Sequence, residues 1–356
     1  MEYEVLPKEY WDKQNYLLYV YSVLADMLRQ ADSKRLSDVA IRFDNVDQAI
    51  SFEHTKDIFG WLDDNGYHDE SLDFFSRHVF FLLLRDFCYY AYESISCAQR
   101  GKVTVAYTLL RKPLRDNLFY MEWLLADAEE LYHGLLHESV ENYDVSSRTL
   151  SRKKIRRIIK EASSNSNMGE AMNVQNIIYR FRFSSKAKWG LQRIWNQSIH
   201  LVTRNVNYRT EEGNLNFIFA NEDVWTNYWG YYYLIIPYLM AYVMEICEAL
   251  FLRYIEVDTS NLVLNRSIRW AKFASAMPNL DGANVLKNGL YELYRALEED
   301  DASLGHECPK CEENVLLTLQ VLDQMINGWF VVCPYCHREQ SVCKYHTDYR
   351  ILVNES

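Results

Sequence analysis

Ser71–Glu138 reads SLDFFSRHVFFLLLRDFCYYAYESISCAQRGKVTVAYTLLRKPLRDNLFYMEWLLADAEELYHGLLHE. Apolar residues recur at a helical period on both sides of Gly101, in a stripe wide enough to be buried. Two long helices joined through one glycine form an antiparallel hairpin, the usual seed of a helical bundle. Pro113 should kink the second helix, because its ring removes a backbone donor and crowds the preceding turn. Arg111, Arg115 and Asp116 lie beside that kink. Charges in so apolar a helix either pair internally or face a cleft, and internal pairing is the expectation.

The pattern continues on either side of the hairpin. Upstream, Tyr16, Leu17, Val20, Tyr21, Leu24 and Met27 mark an amphipathic first helix over Tyr10–Gln30, and Asp44 is placed to cap a second that runs to about Asp64. Downstream, Glu138–Ser151 loses the period, RKKIRRIIKEA follows as a basic helix, Ser163–Gly169 (SSNSNMG) reads as a loop, and a short helix covers Val174–Phe181. Trp225–Met244 runs for twenty residues without a charge, long enough to span a bilayer. It also holds six Tyr and Pro237 between acidic flanks with no basic anchors, so it reads as a buried core helix. The polar, acidic start, MEYEVLPKEYWDKQ, reads as neither a signal nor a transit peptide. A final helix in LDGANVLKNGLYELYRALEEDD ends in an acidic linker. The expected organisation is an N-terminal helical region over 1–70, a helical bundle over 71–300 and a small tail over 301–356. Only 12 Gly and 6 Pro in 356 residues argue against a turn-rich all-β fold, while 27 Tyr and 9 Trp point to aromatic helix packing.

The tail carries the most specific motif. Cys308-Pro-Lys-Cys311 and Cys333-Pro-Tyr-Cys336 are two Cys-x2-Cys knuckles separated by 21 residues. Four thiolates from two such turns make a tetrahedral site suited to structural zinc, with no position left open for catalysis. VLLTLQVL, GWFVV and YRILV look strand-like, so the tail is expected to be a zinc ribbon in which metal replaces a core too small to fold alone. A redox dithiol, or ligand exchange with Cys343 and His346, is the alternative use of these residues. Unpaired knuckle cysteines imply a reducing cytoplasm. Cys88, Cys97 and Cys247 read as buried thiols. His133, His137 and Glu141 share a helix face at i, i+4, i+8, which is more simply a polar surface than a metal site.

The net charge of −11 is unevenly distributed. Arg148–Arg193 contains twelve Lys/Arg against Glu161 and Glu170, a local balance of +10 that leaves −21 for the rest. A basic patch on an acidic body directs a polyanion to one place, and Arg152, Lys153, Lys154, Arg156, Arg157, Lys186 and Lys188 are the candidate nucleic-acid contacts; a solvated basic linker is the plainer reading. Within Lys186–Arg204, KAKWGLQRIWNQSIHLVTR, a helix places Arg193, Asn196, Gln197 and His200 along one face opposite Leu191, Ile194, Trp195 and Ile199. That stripe is either the solvated face of an amphipathic helix or an Arg/His pair for phosphate chemistry.

The Arg193-x6-His200 spacing, after a helical hairpin with the ALLR-like AYTLLR at Ala106–Arg111, resembles the HEPN superfamily, in particular its abortive-infection and uncharacterised branches. The resemblance covers about Ser71–Ile255. It implies a mainly α fold, a HEPN-like helical bundle here joined to a small C-terminal β zinc ribbon. It also implies a metal-independent RNA endonuclease of toxin or phage-defence type, acting as a homodimer on RNA such as tRNA or mRNA. On this chain His200 would be the base, Arg193 the phosphate-binding residue and Asn196 their neighbour in the site. Active members often carry a polar residue directly after the Arg, where this chain has Ile194. The alternative is a non-catalytic adaptor whose bundle and ribbon bind nucleic acid or a protein partner. The acidic residues around the ribbon, Glu298–Asp301, Glu312 and Glu313, favour protein there.

Overall fold

The Gly101 hairpin forms as expected and anchors the bundle. In the computed structural model, which describes residues 3–145, 150–168, 174–299 and 302–353, the chain runs as α1 (Trp11–Lys34), α2 (Val46–His54), α3 (Ile58–Asp64), α4 (His68–Gln99) and α5 (Val103–Arg111). A π-helical turn, Lys112–Asn117, then leads into α6 (Leu118–Ala126), followed by α7 (Ala128–His137), α8 (Val140–Tyr143), α9 (Arg152–Ser164), α10 (Val174–Phe183), α11 (Leu191–Ile199), α12 (Glu222–Phe251), α13 (Thr259–Ala276) and α14 (Ala283–Glu299). The tail holds β1 (Ala302–Glu307), β2 (Asn314–Leu316), α15 (Leu319–Asn327), β3 (Phe330–Val332), β4 (Glu339–Ser341) and β5 (Tyr349–Val353). The protein is therefore mainly helical, with a small C-terminal β region.

Gly101 takes φ +75°, a left-handed turn that lets α5 fold back onto α4. The second predicted helix divides in two, because Asn45 caps α2 and Asp57 caps α3, each side chain accepting a backbone N–H three residues on. Helix α1 packs on α4 and α12, so the first segment is part of the bundle core. Helix α12 is the one described helix long and apolar enough to cross a membrane, and 83% of that stretch is buried inside the protein. Two of its tyrosines place apolar bodies in the core and satisfy their hydroxyls: Tyr233 Oη donates to Gln14 Oε1 at 2.9 Å, and Tyr242 Oη donates to Glu122 Oε1 at 2.8 Å.

Pro113 produces the π turn rather than a simple bend. Such a turn breaks the regular carbonyl ladder, and Arg182 from α10 supplies donors to it. Its Nε donates to the Leu114 carbonyl at 2.5 Å and its Nη2 to the Arg115 carbonyl at 3.3 Å, while Nη1 pairs with Glu122 at 2.6 Å. Both Arg182 and Glu122 are completely buried. Of the charges expected to pair beside the kink, Arg115 meets Asp116 only at 4.0 Å, whereas Lys112 binds Asp86 at 2.8 Å.

In the tail, β2-β1-β5 form an antiparallel sheet and β3-β4 a separate antiparallel pair. VLLTLQVL is not one strand: only its start joins β2, and Thr318 caps α15. The tail shares a hydrophobic cluster with α13 and α14, in which Leu264, Ile268 and Leu290 meet Leu304, Leu322 and Ile326. Polar side chains of α13 reinforce that contact. Arg269 reaches the Tyr345 carbonyl at 3.2 Å, and Lys272 the Ile326 and Gly328 carbonyls at 3.1 and 2.9 Å.

Candidate nucleic-acid interface and metal centre

Helix α11 starts after Gly190 because nothing larger fits there: an added Cβ would meet the Ser184 carbonyl oxygen at 2.6 Å. Leu191, Ile194 and Trp195 are buried, which turns Arg193 to the surface. Arg193 Nε lies 3.4 Å from Gln197 Oε1. Asn196 is half-buried, and its amide donates to the Gln192 carbonyl at 2.6 Å and to Tyr208 Oη at 3.2 Å, so it ties the helix to the following loop. His200 is the first residue beyond the helix, in an extended conformation and exposed. Its ring makes no hydrogen bond among the described residues. Its carbonyl accepts from Asn216 Nδ2 at 2.6 Å.

The loop from His200 to Asn221 is irregular but closely bonded. Thr203 N–H donates to Thr210 Oγ1 at 2.8 Å, Thr203 Oγ1 to the Tyr208 carbonyl at 2.7 Å, and Thr210 Oγ1 to Asn216 Oδ1 at 2.9 Å. Together with the end of α11 and the start of α12, this loop encloses a cleft of about 290 Å³ lined by Arg193, Arg209, Glu211, Asn216, Phe217 and Phe219 among others. Asn216 thus lines the cleft that holds Arg193 and binds the backbone of His200. The sequence reading missed Arg209, Glu211 and Phe219, since an aperiodic loop gives no spacing from which a shared wall can be inferred.

The basic segment divides in space. Arg157 pairs with Glu130 at 2.6 Å and Glu161 at 2.9 Å, and Lys154 pairs with Glu130 at 3.3 Å while lying 4.1 Å from the Trp123 ring centroid. Burial pushes the Glu130 carboxyl up, but the hydrogen bond from Arg157 and the charge of Lys154 hold it below its ordinary range. Arg156 bonds Asn176 and covers the Tyr179 ring at 3.8 Å. Arg152, Lys153, Lys160, Lys186 and Lys188 are exposed. Lys153, Arg156, Arg157 and Lys160 line a second open cleft of about 350 Å³ between α9 and α10. Helix α10 packs against both α9 and α11, the helix that carries Arg193. Arg148 and Glu170 lie outside the described residues.

The four knuckle cysteines converge, with their sulfurs all within 4.8 Å of one another. Cys308 and Cys336 are 3.7 Å apart, as are Cys311 and Cys333. A tetrahedral ion with Zn–S of about 2.3 Å requires sulfur pairs about 3.8 Å apart, a spacing these two pairs match, so the cluster is compatible with zinc. The knuckles are built alike. In each, the residue after the second Cys is left-handed, Glu312 at φ 61° and His337 at φ 55°. That residue's N–H returns to the carbonyl of the first Cys, at 2.9 and 3.0 Å, and the first Cys N–H donates to the carbonyl five residues on. Backbone N–H groups of Cys311 and Lys310 directed at the Cys308 sulfur bring its pKa down to about 6, while, against the pull of the Glu313 backbone N–H, burial and hydrogen bonds with the other three sulfurs push Cys311 up to about 12.

No family model, curated protein or solved structure matches this chain. Cys343 and His346 lie outside the sulfur cluster: Cys343 is buried, and His346 pairs with Asp348 at 3.0 Å. His133 and His137 turn to Glu138 and Asp63 at 3.4 and 4.0 Å, and among the described residues only the four cysteines form a group able to hold a metal.

Proposed function

We propose that this chain is a metal-independent RNA endonuclease of HEPN-like type, a toxin or phage-defence effector working in the cytoplasm as a homodimer, with structural zinc on Cys308, Cys311, Cys333 and Cys336. The observation that carries this reading is Asn216, which joins the His200 backbone to the cleft containing Arg193 and Arg209. The His200 ring acts as general base and takes the proton of a ribose 2′-hydroxyl. The 2′ oxygen attacks the adjacent phosphorus, the bond to the 5′ oxygen breaks, and the imidazolium of the second copy protonates the departing oxygen. Guanidinium groups stabilise the charge that builds on the phosphoryl oxygens. The requirement for a 2′-hydroxyl makes the substrate RNA rather than DNA.

Zinc-loaded protein without Mg²⁺ should cleave RNA to leave 2′,3′-cyclic phosphate ends. His200→Ala and Arg193→Ala should each lower the rate by about a hundredfold or more. Full cleavage by folded His200→Ala would end the proposal. A second reading, a non-catalytic adaptor that binds nucleic acid, or a protein at the ribbon, is favoured by the α9 cleft, whose cations can hold phosphates without any base nearby. Under that reading, charge reversal at Lys153 and Lys160 weakens binding and flattens its salt dependence, and His200→Ala changes nothing.

A further inference from the structure

The cleft beside Arg193 holds more than a phosphate clamp requires. Phe217 has φ +64°, a left-handed backbone that costs a bulky residue of order 1–3 kcal/mol and persists only where its surroundings fix it. Here its ring packs on Tyr228 with centroids 4.8 Å apart, and Asn216 before it is bonded to His200 and Thr210. Two residues on, Phe219 is 69% exposed on the cleft wall and has no aromatic partner among the described residues. Arg209 and Glu211 line the same cleft, both exposed and neither in an ion pair among the described residues. An exposed aromatic face, two guanidinium groups and one acceptor-only carboxylate thus share a cleft of about 290 Å³, near the lower end of small-molecule sites.

We infer that this cleft binds an unpaired guanine of single-stranded RNA, a reading that rests on the RNA function above. Phe219 stacks on the base, which an aromatic face does for any nucleobase. Arg193 and Arg209 hold its phosphate. Glu211 supplies the selectivity. A carboxylate only accepts, and guanine alone presents two adjacent donors, N1–H and the exocyclic amino group, along its Watson–Crick edge. Adenine and cytosine set an acceptor beside their donor, and uracil flanks its donor with two acceptors. Pairing would occupy that edge, so the guanine must lie in a loop, bulge or end.

The test uses full-length zinc-loaded protein and 2′-fluoro hexanucleotides, which cannot form the cyclic phosphate, in fluorescence anisotropy. Replacing one guanine by inosine, which lacks the exocyclic amino group, should weaken binding about tenfold. Glu211→Gln should remove the preference for guanine over inosine. Phe219→Ala should weaken every sequence about tenfold, while Lys153→Glu should weaken all sequences and leave the guanine preference intact. Equal affinity for guanine, inosine and adenine, or a Glu211→Gln variant that keeps the preference, overturns the inference. If RNA is cleaved without guanine preference, the nuclease stands and the base site falls. If guanine is preferred but nothing is cleaved, the base site stands and the nuclease falls. If RNA neither binds nor is cleaved, both fall.

Discussion

Two buried carboxylates on neighbouring core helices have different fates because their partners differ. Glu122 meets Arg182 at 2.6 Å with both side chains fully buried, and burial pushes its carboxyl up against the pull of that guanidinium. Arg182→Met would leave Glu122 uncompensated and should cost about 3–5 kcal/mol in urea unfolding, with much of the loss recovered by adding Glu122→Gln. Additive losses in that pair of variants would show that the ion pair is not what holds the π turn. Glu245 has one oxygen without a partner, and burial followed by repulsion from Glu248 raises its pKa from 4.5 to about 7, against the attraction of Arg269 and Arg266. Between those values the folded chain keeps a proton that the unfolded chain releases. The stabilisation tied to that proton is complete below the unfolded pKa and is lost as pH rises through the folded one, about 3 kcal/mol in all. Urea midpoints measured from pH 4.5 to 8 should therefore fall for the native chain relative to Glu245→Gln, and parallel curves for the two would disprove the assignment.

At the scale of the element, α11 depends on one glycine. Gly190 has ordinary backbone angles, φ −82° and ψ 132°, so it is required by close approach: the carbonyl oxygens of Ser184, Ala187 and Arg180 lie 2.6, 3.1 and 3.1 Å from the position of a Cβ. Gly190→Ala should destabilise the protein by about 1–3 kcal/mol through overpacking and displace α11. Unchanged denaturation together with unchanged RNA affinity would remove that role. Such an approach leaves no trace in spacing, and neither does the Arg182–Glu122 pair, which lies sixty residues apart in sequence. What periodicity does carry is the long elements: α1, α4, α12 and α14 fall where their apolar residues recur. It fails where caps decide. Asp57 divides the second helix, and Thr318 turns a short apolar run, equally compatible with strand or helix, into α15. Pro113 is visible in the sequence as a disruption, but the distant arginine that bonds the carbonyls of the resulting π turn is not.

At the scale of the molecule, charge counted along the chain differs from charge in space, because Glu130 and Glu122 come from α7 and α6 to neutralise Lys154, Arg157 and Arg182. The tail shows the same contrast. Its four ligands are legible from Cys-x2-Cys spacing alone, whereas its attachment is not: Asn265 bonds the Thr347 carbonyl at 2.9 Å, Tyr345 N–H reaches Asp26 at 3.0 Å, and Tyr345 packs on Phe251 in the main core. The sheet is short, and its apolar side chains finish the cluster that α13 and α14 begin. Metal binding in such a module is coupled to folding, so loss of zinc should release more than the knuckles. Protein purified without chelator should contain one zinc per chain. Stripping it, or substituting Cys308→Ser, should open protease sites from about Ala283 onward, because α14 loses the partners of Leu290, while the core of α1, α4 and α12 keeps its helical circular dichroism. The separation follows from the packing, since the cluster around Leu264 and Leu322 is distinct from the one around Tyr233 and Leu124. Zinc-free native protein, or equal protease resistance from Ala283 to Val353 with and without the metal, would show that the cysteines stabilise the tail by packing alone.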